Sequence, residues 1–140
     1  MKLNLARLLI GLVMLVNLQC AVAFLLRPAA YGPSFELSGP PGAAMMRALG
    51  VLFLMWNVPY AVALWHPIRR RFSLFEALAM QAIGLAGETW IYLALPLSHG
   101  TARLSITRFI VFDACGLLAL AAAAWLTSRQ GNAMSMDHFS

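Results

Sequence analysis

Two carboxylates stand inside apolar stretches of this chain: Glu88 in SLFEALAMQAIGLAGETWIYLALPL, from Ser73 onward, and Asp113 in the stretch that follows. In hydrocarbon an acidic side chain is costly, and it is kept when it ties helices together, binds a ligand or relays a proton. At 1.5 Å per residue both lie roughly 13 Å below the same end of consecutive antiparallel helices. Arg47 and Arg108 enter from that same end and can reach inward to a carboxylate or outward to headgroups. The expected ion pairs join Glu88 to Arg47 or Arg108. Asn57 shares a helical stripe with Arg47, Gly50, Leu54 and Ala61, and Tyr92 lies one turn beyond the Gln81, Gly84, Glu88 stripe. Glu88, Asp113, Arg47, Arg108, Asn57 and Tyr92 are thus the candidate ligand-binding set. A second stripe, Ser105, Arg108, Phe112 and Cys115, leaves Asp113 turned away from Arg108.

Other chemistries find no support. His66, His99 and His138 do not share a depth or a ligand spacing, which argues against haem or zinc, and no metal site is expected. No Ser/His/Asp set, phosphate-cradling glycine loop or nucleotide fingerprint is present, so no catalytic residue is assigned. Cys20 and Cys115 occupy different apolar stretches without a C-x-x-C, and read as buried free thiols.

The elements that must position these residues are membrane helices. The chain has 140 residues, 61% hydrophobic and only 11% charged, with a mean hydropathy of +0.77. A soluble domain carries roughly 25% charged residues. The net charge of +5 includes the run Arg69, Arg70, Arg71, but the basic residues flank apolar runs, which suits lipid headgroups rather than nucleic acid.

The expected fold is all-α: a bundle of four transmembrane helices at about 5–26, 44–65, 74–97 and 104–127, making one domain over 1–128, with a mobile polar tail at 129–140. The N-terminus imitates a secretory signal, with Lys2 and Arg7 before an apolar run and Ala21-Val22-Ala23 after it. The run continues through Leu26 at membrane-spanning length, so it reads as an uncleaved helix. The Pro/Gly-rich stretch from Arg27 to Ala44 forbids a long helix and reads as one extracytoplasmic loop, with Tyr31 and Phe35 as anchors for a cap over the bundle. Pro59 is expected to kink the second span. Ser73 and Glu76 match a capping box that would start the third. The arginine triplet places the connection between spans two and three, and with it both termini, in the cytoplasm of a bacterium whose inner membrane holds the chain.

The order of features is similar to the DoxX-like group of small bacterial four-helix membrane proteins. It is carried by the basic N-terminus running into Arg7-Leu8-Leu9-Ile10-Gly11, the loop, the R-x-x-G from Arg47 to Gly50 and a polar third helix. The resemblance implies a four-helix bundle and, as in a few members, an association with quinone-linked oxidation. It supplies no catalytic motif.

Three functions are compatible with these observations. The first is a non-catalytic accessory or scaffold subunit of a larger membrane complex or homo-oligomer. The second binds a quinone or another small lipophile through the Glu/Arg pocket, with redox chemistry supplied by a partner. The third is a small proton-coupled carrier.

Overall fold

The computed structural model describes residues 2–136, with side chains described for 2–128. It is 89% helical, and no strand occurs among the described residues. Four long helices carry the architecture: α1 (Lys2–Leu26), α3 (Gly39–Trp65), α4 (Arg71–Ala94) and α5 (Gly100–Met136), with a short α2 (Pro28–Tyr31) after α1. Among them α1, α3 and the Gly100–Ser128 part of α5 are long and apolar enough to cross a membrane. α4 is not in that set. Its 24 residues would reach about 36 Å, but they include Arg71, Glu76, Gln81 and Glu88.

Local chemistry moves several boundaries away from expectation. α3 starts at Gly39 rather than Ala44, because Pro40 and Pro41 fall in its first turn, where missing N–H donors cost nothing. It continues unbroken through Pro59. α4 starts at Arg71 rather than 74. Arg70 is its N-cap, without a side-chain cap bond, so the capping box expected at Ser73 and Glu76 does not form. The backbone turn closes earlier, through Leu74 N–H to Arg70 O at 3.3 Å. α5 starts at Gly100 rather than 104 and runs on past Thr127 to Met136. Of the tail expected to be mobile, residues 137–140 lie outside the described residues.

The Pro/Gly-rich segment is folded. α2 leads into a 3-10 turn, Gly32–Phe35, and Glu36 follows in the left-handed region at φ 59°. Phe35 meets Phe24 edge-on at 6.0 Å between ring centroids, and Tyr31 meets the same ring at 5.5 Å. Tyr31 and Phe35 thus pack this segment onto Phe24 of α1.

The helices form a ring. Among the described residues α1 packs on α3 and α5 and α4 packs on α3 and α5, while across the diagonal the backbones of α3 and α5 stay apart and meet through the Phe53 and Phe109 rings. At Gly50 the backbones of α1 and α3 come so close that a Cβ would lie 2.9 Å from Leu25 Cγ and 3.0 Å from Ala21 O. Small residues permit such approaches in membranes, where packing rather than the hydrophobic effect holds helices together.

The interior is stratified. One end is aliphatic, built around Ala6, Ile10, Val13, Ala63, Leu74, Ala77, Leu120 and Ala123. The other is aromatic: Phe53 and Phe109 stack at 5.9 Å, with Phe24 and Phe35 against them. Between these layers lie the polar side chains.

Candidate functional site

The middle layer is a chain of polar groups that crosses from helix to helix. Gln81 on α4 is its hub, 3% exposed. The Tyr60 hydroxyl on α3 donates to Gln81 Oε1 at 2.5 Å, and Gln81 Nε2 donates to Asp113 Oδ1 on α5 at 2.7 Å. Asn17 on α1 lies beside Tyr60, and Glu88 on α4 meets Asp113 carboxyl to carboxyl. All four long helices contribute. Buried polar groups are tolerated only when partnered, and here most partners lie on another helix.

Two glycines make the α4–α5 contact possible. Asp113 rests on Gly84, where a Cβ would overlap its Oδ2. Gln81 rests on Gly116, where a Cβ would lie 2.5 Å from Nε2 and 2.9 Å from Cδ. Each polar side chain therefore lies in the notch of a glycine on the opposite helix. The arrangement is reciprocal.

Two carboxylates offer only acceptors, so the contact between Glu88 and Asp113 is a hydrogen bond only when a proton lies between them. No cation relieves it: among the described residues neither carboxyl has an ion-pair partner. The second Glu88 oxygen, Oε2, is buried without a hydrogen-bond partner. The cavity beside the pair, lined by Tyr60, Gln81, Gly84, Glu88 and Asp113, holds about 10 Å³. That is about the space of one water molecule and much less than a drug-sized ligand occupies.

The candidate residues are thus only partly brought together. Glu88 and Asp113 meet, as their common depth implied. The arginines expected between them do not. Arg47 is exposed, because Met46 and Gly50 take the buried positions of that turn of α3 and leave the guanidinium outside. Arg108 is also exposed, against a cleft between α1 and α5. Asn57 is buried, but its amide donates to Phe53 O in its own helix at 2.7 Å, and its Oδ1 has no partner. Tyr92 lies under Arg103, whose guanidinium carbon is 4.0 Å from the ring centre. The same guanidinium donates to Tyr92 O and Leu95 O, at 2.7 and 2.6 Å, and so satisfies the open carbonyls at the α4 C-terminus.

Tyr60 and Asn17 were not foreseen as members of the layer. Tyr60 lies one turn from Asn57 on the same face, and Asn17 interrupts the apolar run of α1; those are the signals each offered. A second polar contact joins loops distant in sequence. Glu36 Oε2 accepts from His99 Nδ1 at 2.5 Å, and Oε1 accepts from the Ala102 N–H at 3.3 Å in the first turn of α5. The His99 hydrogen bond, then that of Ala102, holds Glu36 below the usual carboxylate range.

No group of three or more His, Cys, Asp or Glu side chains able to hold a metal occurs among the described residues. Compared with protein-family models, with curated proteins and with solved structures, the chain matches none.

Proposed function

We propose that this chain is a four-span protein of the bacterial inner membrane, with both termini cytoplasmic, acting as a non-catalytic accessory or scaffold subunit of a larger membrane complex. One observation carries the reading: the intramembrane carboxyl pair is spent on holding helices together. Glu88, Asp113 and Gln81 are engaged with one another and with Tyr60, beside a cavity of about 10 Å³. A substrate or quinone ring does not fit there. The same bonds support a fourth span, because they give α4 partners for the polar groups that keep it from being apolar enough on its own. The exposed stripe of α4 agrees with this: Phe72, Phe75, Ile83, Trp90 and Leu93 all face outward. Lipid or a partner helix suits such a face better than water does.

The test is purification of tagged wild type and Glu88→Gln in mild detergent, with mass spectrometry of everything retained. The glutamine amide can still donate to Asp113, so the subunit reading expects the same larger proteins with both forms. A small molecule retained by wild type and lost from the variant would refute it in favour of a binding site. Proton flux in vesicles that Glu88→Gln abolishes would refute it in favour of a carrier.

A further inference from the structure

Arg47 and Arg108 both lie outside the polar layer, and Arg108 is the one that borders the cleft between α1 and α5. Arg108 has no ion-pair partner among the described residues, and it lies two turns inside α5, about 12 Å from Gly100. An arginine at that depth is costly in hydrocarbon unless it meets an anion. It borders a cleft of about 300 Å³ between α1 and α5, roofed by the 3-10 turn and lined by Val16, Cys20, Phe24, Phe35 and Phe112. Tyr31 and Ser34 also line the cleft, and its remaining polar residues are turned to neighbours within the chain. The Ser105 hydroxyl donates to Ser34 O at 2.5 Å, and Asn17 lies beside Tyr60. What is left is a largely apolar trough lined also by Arg108, Tyr31 and Ser34, with the Arg108 guanidinium its one cation.

We propose that this cleft seats one phospholipid of the surrounding bilayer, with its phosphate on Arg108 and an acyl chain along Cys20, Phe24 and Phe112. Charge and shape select that occupant. A guanidinium is a planar fork of donors that matches phosphate oxygens two at a time. The apolar walls accept hydrocarbon, and the volume suits part of one chain rather than a whole lipid. The site is separate from the carboxyl layer and does not depend on the subunit reading.

Cys20 makes the cleft observable. It lines the trough, whereas Cys115, one turn beyond Phe112 on the same stripe of α5, is exposed outside it. The experiment measures the rates at which N-ethylmaleimide labels the two thiols of the full chain in detergent. Additions are phosphatidylglycerol, diacylglycerol with the same chains, or inorganic phosphate. Phosphatidylglycerol is expected to slow labelling of Cys20, which lines the trough, more than that of Cys115, which lies outside it, with diacylglycerol and phosphate having little effect. Arg108→Gln is expected to raise the lipid concentration needed by about tenfold, the size expected for loss of a charge-assisted hydrogen bond. Arg108→Lys and Arg47→Gln are expected to keep protection. Equal protection by diacylglycerol would overturn the role of the phosphate. Protection by inorganic phosphate alone would overturn the lipid, and unaltered protection in Arg108→Gln would overturn the assignment to Arg108. The wild-type comparison of the three additives needs no variant, so a poorly folding Arg108→Gln leaves the proposal open to refutation.

Discussion

Adding one methyl group at Gly116 tests whether the notch under Gln81 is required. A Cβ there would lie 2.5 Å from Gln81 Nε2 and 2.9 Å from Cδ, inside any normal contact distance. An exposed side chain would swing aside at little cost. Gln81 cannot, because moving it breaks the bonds from Tyr60 and to Asp113. Interhelical hydrogen bonds in membranes contribute about 0.6 kcal/mol each on average, so the two give about 1.2 kcal/mol. Overpacking adds about 1–3 kcal/mol. The better helix propensity of alanine returns about 0.8–1.0 kcal/mol. The net expectation for Gly116→Ala is a loss of roughly 1–3 kcal/mol. The decisive comparison is made in a Gln81→Ala background, where the methyl loses both close contacts and keeps Val13 Cγ1 at 3.4 Å, an ordinary van der Waals neighbour. There Gly116→Ala is expected to be neutral or stabilising, giving a coupling of about 2 kcal/mol in a double-mutant cycle. Reversible unfolding in mixed micelles, followed by circular dichroism, reads all four proteins. A neutral Gly116→Ala in the wild-type background, or equal effects in both, would refute the interlocked-notch argument.

Gly50→Ala is expected to cost at least about 2 kcal/mol with no rescue by trimming one side chain, because its Cβ meets the Ala21 carbonyl and the Leu25 N–H as well as the Leu25 side chain. Gly87→Ala, with nothing within 4 Å of the new Cβ, is expected to be neutral or to gain up to about 1 kcal/mol; the same unfolding assay compares them. Tyr60→Phe removes the donor to Gln81 at a residue only 2% exposed, and is expected to cost about 1–3 kcal/mol while leaving helix content unchanged. For Glu36, whose folded pKa lies below its ordinary value of 4.5, the stabilising contribution is full above pH 4.5 and disappears as the pH falls through the lowered value. The unfolding temperature of wild type is therefore expected to drop relative to Glu36→Gln as the pH falls below 4.5. Parallel curves would remove Glu36 from the account.

The helices were legible because apolar length is a property of each stretch alone. The depth of a residue along its helix was legible for the same reason, and depth alone put Glu88 and Asp113 side by side. Rotation about the helix axis was not. One position separates Met46, which is buried, from Arg47, which is not, and which of them faces inward is decided by the fit of Gly50 against α1. That is a fact about another helix. Gly84 was already on the stripe with Gln81 and Glu88, yet its partner Gly116 had no local sign of importance. The contact of Glu36 with His99 joins residues 63 positions apart, and no periodicity reaches across two loops. The capping box at Ser73 shows the opposite error: a good local motif was passed over once the backbone turned at Arg70.

The reciprocal notches also bear on how the chain would enter a membrane. On the four-span reading, α4 is the helix least able to insert alone, and Gln81 and Glu88 are among the reasons. Its remedy is carried by the helix made next, since Asp113 and Gly116 lie on α5. Insertion of α4 and α5 as one hairpin would then be favoured over insertion one after the other. Moving Asp113 by one turn along α5 would leave the sequence of α4 untouched and still strand it at the translocation machinery.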